Sequence, residues 1–191
     1  MEVLARGGRP RALAAIAVLA TIALVGVGAS PAEAVPIKRG HTKLILNQNF
    51  FDDLDPSFGI LPIAPAEAVN GGEQFPITGG RVSGNGERAR IEHDGGLRFA
   101  DDNARVRVMR PKVHLNTDDS ELIASVDGQR MSFLSVEGGR QTSRGRNLTF
   151  RGIKASFTRK AAKAFNQAFA TDVFHKGMRL GKLRIDMTLD R

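Results

Sequence analysis

The side chains able to do chemistry in this chain are few: four histidines, three pairs of adjacent aspartates and a scatter of arginines. It contains no cysteine, no tryptophan and no tyrosine. Thiol nucleophiles and cysteine-type zinc sites are therefore excluded. No Gly-x-Ser-x-Gly elbow, phosphate-binding Gly-x-x-x-x-Gly-Lys-Ser/Thr loop or His-Glu-x-x-His helix occurs. The pairs Asp52-Asp53, Asp101-Asp102 and Asp118-Asp119 each fall in a turn-like stretch, where Asp is favoured for bonding its own backbone. No catalytic residue is assigned, and the expectation is a protein that is not an enzyme. His41, His93, His114 and His175 share no ligand spacing, so no metal site is expected.

His93 is the candidate for binding a ligand. It adjoins Asp94-Gly95-Gly96, a turn signal between two short apolar runs, and a hairpin tip there would expose the imidazole. The ordinary alternative is a turn histidine bonded to nearby backbone. His114 alternates with Val113 and Leu115, which puts it on the wet face of its strand; His175 falls in a loop. The methionines Met109, Met131, Met178 and Met187 are expected as core fillers or loop residues.

Charge offers a second kind of chemistry. The chain carries a formal net charge of +8, and such a surface attracts polyanions through fields that salt screens. The candidate contacts are Arg105, Arg107, Arg110 and Lys112 on one strand, and Arg140, Arg144 and Arg146 in a polar stretch. An anionic cell-wall polymer is the partner this implies, and a small apolar ligand is the other. Specific nucleic-acid recognition is not expected, since the stacking residues Trp and Tyr are absent. An ordinary solvated basic face would show the same alternation.

The elements that must position these groups are mostly strands. Arg105 to Val108 alternates Arg with Val, and Leu183, Ile185, Met187 and Leu189 alternate with polar residues from Lys182. Pro111 marks a bend or edge. Asp127-Gly128 predicts a tight hairpin between Leu122–Val126 and Met131–Val136. Val35 to Gly40 reads as a flexible lead, and Gly138 to Arg146 as a mobile loop. Phe50, Phe51 and Leu54 predict a short helical turn. One helix is expected over 158–170, with Thr158 as N-cap and Ala161, Ala162, Phe165, Ala168 and Phe169 at helical spacing. Lys43–Leu46 with its helical turn weakly echoes Lys154–Phe157 with its helix, suggesting two strand-helix units at opposite ends of the sheet system. The fold class is all-β or mainly β: an antiparallel sandwich or barrel with one N-terminal helical turn and one C-terminal helix.

The first 34 residues read as a secretory leader. Arg6, Arg9 and Arg11 precede an uncharged apolar run from Ala12 to Gly28, and Ala32-Glu33-Ala34 supplies the small-residue cleavage pattern. Cleavage is expected after Ala34, with a retained anchor as the alternative. The leader would take three Arg and two Glu with it and leave residues 35–191 as one basic, β-rich domain. The expected location is secreted or in the extracellular envelope, with no membrane span after removal.

The segment Arg90-Ile91-Glu92-His93-Asp94-Gly95-Gly96-Leu97-Arg98-Phe99, with Val106, Val108, Pro111, Val113 and Leu122-Ile123-Ala124-Ser125-Val126, resembles the HtaA-type domain. This is a secreted or surface-anchored haem-binding family of actinobacteria with a β-sandwich fold. The resemblance covers residues 75–126. It implies that fold, haem or a porphyrin as ligand, and His93 as the matching residue. Haem ligation in the family relies on tyrosine, and this sequence has none.

Overall fold

The computed structural model describes residues 33–83 and 86–190. The expected leader, apart from Glu33 and Ala34, lies outside the described residues. By its contacts the chain divides into Met1–Ser30 and Pro31–Arg191, and every element described belongs to the second unit.

Period-two patterning builds most of the strands. They are β1 (Val35–Leu46), β2 (Gly59–Ile63), β3 (Glu67–Val69), β4 (Gly72–Val82), β5 (Ala89–His93) and β6 (Gly96–Ala100), followed by β7 (Arg105–Leu115), β8 (Glu121–Val126), β9 (Gln129–Glu137), β10 (Arg140–Arg144), β11 (Asn147–Phe157) and β12 (Arg179–Leu189). In β12, Leu183, Ile185, Met187 and Leu189 are buried, and in β7 Val106, Val108 and Val113 are buried while Arg105 and Arg107 are exposed. A side-chain period of two sends alternate residues to opposite faces.

Eight strands close into an antiparallel barrel in the order β1, β4, β5, β7, β8, β9, β11, β12 and back to β1. A barrel of that number is just wide enough for side chains to fill it. Of the expected sandwich or barrel, the barrel is what forms. The hairpin at Asp127-Gly128 is present, with both residues at positive φ (45° and 87°) as the tight turn requires.

Three expectations for single segments fail. Residues 35–40 are no flexible lead: Ile37 pairs with Leu189, and Val35 with Val82, so the backbone ladder orders a stretch with no clear alternation. Gly138–Arg146 is no loop: β10 pairs with β11 from Arg140↔Arg151 to Arg144↔Asn147, and ladder bonds prevail over polar composition. The segment around Asp94-Gly95 is no hairpin. β5 and β6 run in the same direction and lie end to end along one neighbour, β7, with Glu92 opposite Lys112 and Gly96 opposite Met109. Asp94-Gly95 is thus a break in one long strand, and it sits where β7 itself bulges at Arg110 (φ 50°).

One end of the barrel is filled by phenylalanine. Phe50, Phe58, Phe99, Phe133, Phe157, Phe165, Phe169 and Phe174 form a continuous set of ring contacts with centroids 5.0–6.4 Å apart. The helix α1 (Arg159–Ala168) packs Ala161, Ala162 and Phe165 into it, and a 3-10 turn (Gln48–Phe50) adds Phe50. The two strand-helix units meet at the same end rather than at opposite ends. β1 and β11 both pair antiparallel with β12, so they run alike and finish together; Phe50 and Phe157 stack at 6.0 Å.

Thr158 caps α1 as expected. Its Oγ1 accepts from Ala161 N (3.1 Å) and donates to Ser132 O (2.6 Å), tying the helix to β9. Thr158→Ala is expected to lower stability by about 1–2 kcal/mol, because it removes an N-cap and leaves a carbonyl without its donor. A urea titration checks this; an unchanged midpoint would contradict it.

Candidate functional site

His93 ends β5 in the inward phase, after Ala89 and Ile91. It is 5% exposed. The hairpin-tip expectation is therefore corrected: the strand break keeps the imidazole inside the wall. Nδ1–H donates to the Pro111 carbonyl (2.9 Å), which fixes the tautomer, and Nε2 accepts from the Thr42 hydroxyl (2.6 Å). One side chain thus joins β5, the β7 bulge and β1. Phe75 packs edge-on, centroid 6.4 Å away. Burial pushes the His93 pKa down to about 4, opposed by its bond to Pro111.

Two glycines make the break possible. Gly95 has φ 79°, and a Cβ there would stand 2.6 Å from Ala66 N. At Gly96 a Cβ would run into the Val108 carbonyl and lie 2.6 Å from Met109 Sδ. Only glycine lets the turn after β2 and the β7 backbone come this close.

Inside the barrel, beside His93, the free space is about 20 Å³, walled by Leu44, Phe75, Val108 and Leu183 among others. That is room for about one water. Both ring nitrogens are engaged, so the residues present do not fit His93 as a haem ligand.

Outside the break a pocket of about 670 Å³ opens, lined by Met109, Arg110, Lys112, Arg130, Ile123, Glu92 and others. Lys112 donates to Glu92 (2.8 Å), and that bond holds the Glu92 carboxyl below its usual range. Arg110 and Arg130 form no ion pair among the described residues. Met109 is not a core filler: it takes the outward phase of β7 with its sulfur over Gly96. Met131, Met178 and Met187 are buried as expected.

The seven basic candidates do not gather in one place. Arg110 and Lys112 line this pocket, whereas Arg105 and Arg107 line a separate groove with Arg98. Arg140 and Arg144 sit on β10 and Arg146 in the turn after it; β10 pairs with β11 and shares no ladder with β7. Sequence reading passed over Arg98, Arg130 and Met109. The run Leu97-Arg98-Phe99 carried an alternation signal for Arg98; Met109 and Arg130 are brought to one face by strand register, Met109 opposite Ser125 and Ser125 opposite Arg130. His114 is partly exposed on the outer face, 4.0 Å from Glu121, and His175 is exposed in its loop. Among the described residues no group of three His, Cys, Asp or Glu is placed to hold a metal, and no helix is long and apolar enough to cross a membrane.

No protein-family model and no curated protein matches the chain. Solved structures do. The C-terminal domain of HtaA from Corynebacterium glutamicum superposes with a TM-score of 0.65 at 17% identity, covering 82% of this chain and 99% of that one. The N-terminal domain of the same protein gives 0.59 at 14% identity, over 81% and 99%. The heme binding protein HtaB from the same organism gives 0.56 at 10% identity, over 83% and 96%. The chain has an HtaA-like fold.

Proposed function

We propose that this protein is an exported, non-catalytic β-barrel that captures a small ligand of the porphyrin class, haem foremost, in the outer pocket beside the strand break. The observation that carries the reading is the contrast in free space, about 670 Å³ outside the break against about 20 Å³ within the barrel. The outer pocket matches the ligand's chemistry. Arg110 and Arg130 offer cations to the two propionates, and Met109 and Ile123 offer an apolar face. The Met109 thioether is a soft donor suited to haem iron. HtaB, a structural neighbour, is a heme binding protein, which adds support at the level of fold. His93 serves here as a brace of the pocket wall and not as a ligand. Export rests on the leader pattern ending at Ala34.

Haemin titration followed at the Soret band tests the reading. A saturable shift is expected, with a changed spectrum in Met109→Ala and at least tenfold weaker binding in Arg110→Ser/Arg130→Ser, since even one lost charge-assisted bond is worth about 1.5–3 kcal/mol. The absence of a saturable shift, or titrations unaltered in both variants, would overturn it.

A further inference from the structure

The extension of the barrel formed by β2, β6 and the first half of β7 carries a second site. Its outward row runs across the strands as Leu61, Arg98 and Arg107, each directly opposite the next. Arg105 lies two residues before Arg107 on the same exposed phase. Together with Pro62, Ile63 and Ala64 the three arginines line a groove of about 510 Å³ with no acidic residue in its wall. Leu61, beside it, is 50% exposed, an apolar side chain left in water next to the cations.

Like charges directly opposite on a sheet repel. At three other crowded cations a carboxylate is at hand: Arg90 meets Glu92 at 3.4 Å, Arg184 meets Asp186 at 2.7 Å, and Lys154 stands opposite Glu137, whereas Arg140 opposite Arg151 forms no ion pair among the described residues. None of Arg98, Arg105 and Arg107 forms an ion pair among the described residues. The acids nearest in register turn to backbone instead: an Asp127 oxygen accepts from Arg107 N (2.8 Å), and an Asp101 oxygen from Ala104 N (2.6 Å). The groove therefore combines three uncompensated guanidiniums with an apolar floor.

We infer that this groove binds an amphipathic anion, a carboxylate or phosphate head joined to a hydrocarbon chain. The head sits among Arg98, Arg105 and Arg107, whose forked donors suit either oxyanion. The hydrocarbon lies along Leu61, Pro62, Ile63 and Ala64. The chemistry is shared by a free fatty acid and by an acidic membrane lipid. The inference stands apart from the porphyrin reading, because it uses none of the residues of that pocket.

The test is titration of the purified protein with a fluorescent long-chain carboxylate below its micelle concentration. Saturable binding is expected, weakened at least tenfold in Arg98→Ser/Arg107→Ser and several-fold in Leu61→Ser. The double variant should melt at the same or a higher temperature, since it relieves repulsion at exposed positions, so lost binding cannot be ascribed to misfolding. Its haemin titration should match that of the parent, which separates failure here from failure of the porphyrin reading. Co-sedimentation with vesicles containing phosphatidylglycerol distinguishes the sources: vesicle binding that the double variant loses, without binding of the free carboxylate, supports a membrane-held lipid. Equal binding of both probes by parent and double variant overturns the inference. So does displacement of the probe by inorganic phosphate at the same concentration, which would make the tail irrelevant.

Discussion

Phe165→Ala is expected to lower the free energy of unfolding by about 3–5 kcal/mol, the range for truncating a fully buried phenylalanine. Phe165 is 0% exposed. Its ring meets Phe99 and Phe157 at 5.0 Å, Phe174 at 5.2 Å, Phe133 at 5.8 Å and Phe169 at 6.0 Å. Most of those are edge-on or tilted contacts, which add to the area term. The surrounding rings belong to β6, β9, β11 and the segment after α1, so they cannot all collapse into the space left behind. Domains of this size have about 5–15 kcal/mol in total, and the variant would lose much of that. Guanidinium denaturation of parent and variant measures it. Phe169→Ala is the control, because Phe169 is only partly buried and should cost less. A loss below about 1 kcal/mol for Phe165→Ala would contradict the role assigned to the aromatic end.

Acid should loosen the barrel through His93. Its folded-state pKa is about 4, against an ordinary value of 6.5. The folded protein therefore holds the ring neutral, whereas the unfolded chain takes up a proton as pH falls through 6.5. Stability from this group is complete above about pH 6.5 and declines as pH drops from there toward 4, by up to about 3 kcal/mol. The structural cause is specific. A protonated imidazole would be a charge held out of water in the barrel wall, with only its bond to the Pro111 carbonyl in its favour. Comparing the melting temperatures of the parent and His93→Gln at pH 7.5 and pH 5.0 checks this. The parent should lose more between the two pH values than the variant does. Equal losses would show that His93 titrates normally and is not held as described.

Much of the barrel was legible because its cause is local. Alternation places Val106, Val108, Leu183, Ile185 and Met187 inside whatever the partner strands are. Thr158 and the spacing through Phe165 specify a capped helix in the same way. Asp127-Gly128 makes its turn because both residues accept positive φ. Where residue order misled, the deciding contacts were distant. The start of β1 is a strand because Leu189 lies beside it, far along the chain; β10 is the exception, a local hairpin with β11 closed at Arg144 opposite Asn147. Asp94-Gly95 carries the composition of a hairpin turn. It becomes a break because β7 offers one continuous edge to both β5 and β6.

The candidate sites divide along the same line. Residue order showed that no thiol, tyrosine or known catalytic motif is present, that His93 adjoins a special backbone, and that Arg105 and Arg107 face away from the core. Those are properties of composition and of the period of a strand. Tertiary structure alone decided that His93 is braced between Thr42 and Pro111 instead of being presented to a ligand, since its partners lie 51 and 18 residues away. It also decided that Arg98 joins Arg105 and Arg107, whereas Arg110 and Lys112 do not. Pairing register sets which outward side chains become neighbours, and a bulge of one residue at Arg110 is enough to divide one basic strand between two sites.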